Sequence, residues 1–174
     1  SDEERALKLV EDVIRDVKRL NKRDRELIEK VERDIEKLLE DHRRLVDEVR
    51  RRVKELEDKV EDKEEVLKRI KDLLDEIHKL VEEILRRIKK LLEDIEESSR
   101  RSLEEIRRLL EELRRRIDSE LLKEVEERIK KLLKSNKDLL REVEERVRRA
   151  LERVKRSDEE VHKMARDALR RVRK

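Results

Sequence analysis

Apolar residues recur along this chain at sevenfold spacing, with polar residues filling most positions between them. One series runs Leu7, Ile14, Asn21, Ile28, Ile35, His42, Val49 and Leu56, and a companion series holds Val10, Val17, Val31, Leu38 and Leu45. An average period of 3.5 puts both series on one face of an α-helix, at the a and d positions of a coiled coil. The seam is apolar except for a few entries, notably Asn21, Asp24 and His42. Val13, Leu20 and Leu27 widen it on one side, and Leu39, Val46, Val53 and Val60 on the other. Such a width suits three or four packed helices better than a two-stranded seam.

The first break falls near Val60 to Glu65, where Asp62 is placed to cap a new helix and Glu65 occupies the glutamate position of a capping box. A second stripe runs Leu67, Ile70, Leu74, Ile77, Val81, Ile84, Ile88, Leu91 and Ile95. With a slight shift it continues through Ser99, Ser102, Ile106, Leu109, Leu113 and Ile117. Asp118-Ser119 offers another cap, and a third stripe runs from Leu122 through Asn136, Val147 and Ser157 to Val172. The pattern predicts helices over about 2–60, 63–117 and 119–174 in a single domain covering 1–174. Each would be ~80–85 Å long at 1.5 Å per residue. Short turns make neighbours antiparallel, so the expected fold is all-α, an elongated antiparallel three-helix bundle with coiled-coil packing. A competing parse has up to seven shorter helices, broken near Asn21 to Asp24, Ser98 to Ser102, Ser135 to Asp138 and Ser157 to Glu160. The register favours long helices, because Ile14 to Ile28 and Ile129 to Val143 stay in phase across their polar entries.

Composition explains why turns should be few. The 174 residues include no Gly, Pro, Cys, Trp, Tyr or Phe, and charged residues make up 59% against 34% apolar. Turns must therefore rely on Ser, Asn and Asp. So high a charge can mean disorder, but the regular Leu, Ile and Val spacing and the Glu, Lys and Arg background argue for ordered helix. Lack of Cys removes disulfides and thiolate metal sites. No apolar run approaches a membrane span, and Ser1-Asp2-Glu3-Glu4 reads as a helix cap rather than a signal peptide. The expectation is a soluble chain with no natural address, cytoplasmic in an expression host. A net charge of +3 arises from 53 basic and 50 acidic residues of interleaved sign, a solvated surface rather than a nucleic-acid patch. The basic run Arg170-Arg171-Val172-Arg173-Lys174 complements a helix C-terminal dipole, and without aromatic residues bases have no stacking platform.

Folding the first segment back about residue 61 sets Asn21 opposite roughly residue 101 and His42 opposite roughly residue 80, by counting residues at equal rise. Folding again about residue 118 sets Asn136 and Ser157 at matching levels. Two polar layers follow: Asn21, Ser98, Ser99, Ser102 and Asn136 in one, and His42, His78 and Ser157 in the other, with His162 about one turn away. Buried polar groups cost a few kcal/mol (~1–3) unless they bond one another, so each layer penalises slipped registers and wrong partners.

With its Ser1-Asp2-Glu3-Glu4 start, Leu/Ile/Val core, Glu/Lys/Arg surface and Asn/Ser and His/Ser layers, the chain resembles de novo designed helical bundles with parametric backbones and buried hydrogen-bond networks. The resemblance covers essentially all of the chain and is one of style; the lack of Gly in both turns departs from it. It implies a stable scaffold or assembly component without a natural substrate. Self-association, or half of a larger homo- or hetero-oligomeric bundle, is the alternative.

One His in each predicted helix suggests a zinc site or a pH-responsive core as a third reading. Yet His162 is five residues from Ser157, and His78 and His162 lie beside their seams. The expectation is therefore no metal and no cofactor. Nor is catalysis expected: Ser157 near His42 or His78 is the nearest approach to a dyad, with no oxyanion hole or glycine loop beside it.

Overall fold

A computed structural model describes residues 2–58 and 61–173. Ser1, Lys59, Val60 and Lys174 lie outside the described residues, as does the side chain of Arg173. The expected cap at Ser1, the seam position of Val60 and the last residues of the basic tail fall there too. Among the described residues there are three helices: α1 (Asp2–Glu57), α2 (Lys63–Arg116) and α3 (Ser119–Arg173). None breaks at the polar clusters, so the seven-helix parse does not occur.

Aspartates start the second and third helices. Asp62 Oδ1 accepts from the Glu65 amide at 3.2 Å, and Asp118 Oδ1 accepts from the Leu121 amide at 2.8 Å. Each carboxylate satisfies one of the amides that a helix start leaves unpaired. Between α2 and α3 only Ile117 and Asp118 intervene. The Ile117 amide donates back to Leu113 O at 3.0 Å, and the Leu122 amide donates to Asp118 O at 3.0 Å. No described residue has positive φ, so this reversal does without the left-handed conformation that glycine favours.

The chain divides into two compact units, residues 1–31 with 91–145, and residues 32–90 with 146–174. In the first unit Val10, Val13, Ile14, Val17 and Leu20 of α1 pack with Ile106 and Leu113 of α2 and Val125 and Ile129 of α3. In the second, Val46, Val49, Val53 and Leu56 of α1 pack with Val66, Ile70, Leu73 and Ile77 of α2 and Val161, Ala165 and Ala168 of α3. Each unit is thus a three-helix packing of aliphatic side chains, and burial at this spacing is the main stabilising contribution.

Long-range pairs give the directions. In the second unit Glu32 meets Arg146, Arg50 meets Glu160 and Glu57 meets Arg171, so numbers rise together along α1 and α3. Two reversals of direction produce this parallel pairing, with α2 antiparallel to both; Glu48 of α1 meets Arg69 of α2 at 3.3 Å. Leu7, the expected first seam residue, is 54% exposed, and the buried face begins at Val10.

Candidate functional site

Asp24 follows Leu20 by one helical turn and precedes Ile28 by another, and both leucine and isoleucine are buried. That phase carries the Asp24 carboxylate into the core of the first unit, where it is 5% exposed. A buried carboxylate is tolerated only when its oxygens are hydrogen-bonded. α2 supplies Ser98, whose hydroxyl donates to Oδ1 at 2.5 Å, and Ser102, whose hydroxyl donates to Oδ2 at 3.4 Å. Four residues apart on one helix, the two serines share a face. α3 supplies Asn136, whose Nδ2 donates to Oδ2 at 3.2 Å.

An acceptor-only carboxylate fixes which end of the Asn136 amide faces it. The buried Asn136 Oδ1 is left without a partner among the described residues. Asn21, one turn before Asp24, does not join this hub; its Nδ2 donates to the Leu132 carbonyl of α3 at 3.1 Å. Ser99 is half-buried and lines a groove with Asn21, Ser102 and Asn136. The five residues of the expected first layer thus lie in one unit, but three of them converge on a sixth. Asp24 was visible as a polar entry in the seam. Among 50 acidic residues it carried no further mark of a hub.

The second unit holds a different arrangement. His42 is 3% exposed and shares the buried face of α1 with Ile35, Val46 and Val49. Burial lowers its pKa below 6.5, and the nearby charge of Asp158 on α3 opposes that shift. His42 Nε2 and Asp158 Oδ1 are both buried and lack a hydrogen-bond partner among the described residues. His162 Nε2 lies 3.6 Å from the same Asp158 oxygen, one helical turn along α3. Ser157 is half-buried and lines a groove with His42.

His78 is not part of this centre. Its side chain is 69% exposed and its Nε2 lies 3.3 Å from Glu82 on the same helix. The reason is rotational: Ile77 occupies the core position with 0% exposure, and the next residue points ~100° further round the helix. Matching level placed His78 beside His42, whereas direction sends it to the surface. Among the described residues no group of three His, Asp or Glu is placed to hold a metal ion.

The model of one protein family, the C-terminal region of Exo70 from the exocyst complex, matches residues 25–174, and on that match the chain belongs to this family at the level of sequence pattern. The matched span takes in the greater part of α1 and all of α2 and α3. A solved structure described as a computationally designed three helix bundle matches at 20% identity with a TM-score of 0.47, over 98% of this chain and 87% of that one. No curated protein matches the chain. Among the described residues no helix is long and apolar enough to cross a membrane.

Proposed function

We propose that the chain is a structural scaffold of designed character, whose helix pairing is specified by aliphatic packing and by polar centres around Asp24 and His42. The carrying observation is the hub at Asp24. A carboxylate 5% exposed draws donors from two other helices. Such a hub adds little net stability, because desolvating the charge offsets the bonds it makes. Its effect is selective: a register shifted by one residue turns these groups toward solvent or leaves them buried and unpaired. The residues engaged are hydrogen-bonded to each other, an arrangement suited to holding helices rather than to turning over a substrate.

The test is a variant carrying Asp24→Leu, Ser98→Ala, Ser102→Ala and Asn136→Leu, examined by circular dichroism and by light scattering coupled to size exclusion. Helicity is retained and resistance to urea rises, while the single species gives way to several masses. A variant that remains one species, with unfolding as cooperative as the parent's, overturns the specifying role.

A second reading, a component of a larger helical assembly, is favoured by the match to a family whose description places it in a complex. Light scattering of the parent separates the two. A mass near 21.5 kDa supports the self-contained scaffold, and a multiple of it supports assembly.

A further inference from the structure

We infer that the groove between α2 and α3 in the first unit docks one amphipathic helix with acidic flanks, supplied by another protein. Leucines floor the groove. Leu103 of α2 is 41% exposed, and Leu133 and Leu140 of α3 line the same groove half-buried. Leu110, one heptad after Leu103, is half-buried against the same core. Cations border this floor on both sides. On α2 Arg100, Arg107 and Arg114 recur at heptad spacing, and on α3 Lys123, Lys130 and Lys137 do the same. All six are exposed, and heptad spacing keeps each row along one edge of its helix. Counting outward from the reversal at Ile117 and Asp118 sets Arg114 level with Lys123, Arg107 with Lys130 and Arg100 with Lys137. Among the described residues none of the six is ion-paired. Glu96, Glu126 and Glu144 share these edge and floor positions, which leaves the cations in excess.

Edges of the second unit are built the other way. There Glu48 meets Arg69 and Arg50 meets Glu160, cation against anion between neighbouring helices. Like charges facing across a groove do not help to close the bundle, but they complement an acidic insert. A helix ~10–12 Å across seats between two others at interaxial distances of ~8–10 Å. Leucines at its a and d positions meet the leucine floor, and glutamates at its e and g positions meet the two basic rows. A second copy of the groove does not fit, because two-fold packing sets arginine and lysine against arginine and lysine. Nor does a nucleic acid, whose phosphates leave the leucines uncovered.

The test is a fluorescently labelled synthetic peptide of about three heptads, with Leu at a and d and Glu at e and g, titrated with the full chain and followed by anisotropy and circular dichroism. Saturable binding with a gain in helicity is expected. Arg107→Glu with Lys130→Glu reverses one level of both rows and should weaken binding ~10-fold or more. Leu103→Ser should weaken it about tenfold by removing apolar floor. Both variants alter exposed side chains, so their helicity should equal the parent's. Lys79→Glu with Arg86→Glu, the same change of charge in the second unit, should leave binding unaltered. Absence of saturable binding to the parent, equal binding of a peptide with the same residues in scrambled order, or unchanged binding in either groove variant overturns the docking site. The inference goes beyond the scaffold reading, and none of these substitutions touches the Asp24 hub, so the two fail independently.

Discussion

Removal of Asp24 and neutralisation of Asp24 should have different consequences. Asp24→Ala strips the acceptor from Ser98, Ser102 and Asn136 together and opens space in the core. Unpaired buried donors cost about 1–3 kcal/mol, so a loss of that order is expected in urea denaturation followed by circular dichroism. Asp24→Asn keeps one oxygen for Ser98 and presents an NH2 where Oδ2 stood. The Asn136 amide then turns over, and its oxygen, unpartnered in the parent, receives one hydrogen of that NH2, while the Ser102 hydroxyl, a donor to Oδ2 in the parent, rotates to accept the other. With the buried charge gone and both amides bonded, Asp24→Asn should lie within about 1 kcal/mol of the parent or above it. A loss equal to that of Asp24→Ala would show that charge, and not hydrogen bonding, holds the hub.

His42 gives the fold a pH dependence of known sign. Its pKa in the folded state lies below the unfolded reference of 6.5, so in mild acid the unfolded chain binds the extra proton. The stability held by neutral His42 is complete above the reference and is lost as pH falls toward the folded value. Urea midpoints at pH ~7.5 and ~5.0 should differ in the parent, with the acid value lower, and the gap should narrow in His42→Leu. An undiminished gap in the variant would assign the acid sensitivity elsewhere.

Helix ends carry their own share of the energetics. The α2–α3 reversal has one aspartate to start its second helix, through the 2.8 Å bond from the Leu121 amide to Asp118. Asp118→Ala should cost about 1 kcal/mol, and Asp118→Asn only a few tenths, as seen at other N-caps. Equal midpoints for parent and alanine variant would mean that water serves this exposed amide equally well. What the sequence made legible at this scale was phase: a helix turns by a fixed angle per residue, so Leu20, Asp24 and Ile28 had to share a face. What it left open was rotation. Residues at one level along three helices meet only if they also point inward, and this separates His42 from His78. The charge that acts on His42 was hidden for a related reason. Asp158 sits in a run of polar residues, Ser157 to Glu160, that reads as a possible break until α3 is seen to pass through it.

At the scale of the whole chain, interleaved charge sets the response to salt. With 53 basic and 50 acidic residues, attraction and repulsion nearly cancel at neutral pH, and the exposed i,i+3 and i,i+4 pairs contribute little each. Screening both signs should therefore move the urea midpoint only slightly between ~0.01 M and ~1 M salt, where the Debye length falls from about 30 Å to about 3 Å. At pH ~2, below the reference range of Asp and Glu, the 53 basic side chains and three histidines face no compensating charge. Self-repulsion then opposes the packing of Val17, Ile77 and Val143, and an aliphatic core without aromatic residues has no other reserve to resist it. The expected outcome is a midpoint that drops in acid at low salt and recovers when salt is added. If acid unfolds the chain equally at both salt concentrations, protonation of particular buried groups such as His42 dominates over the summed field.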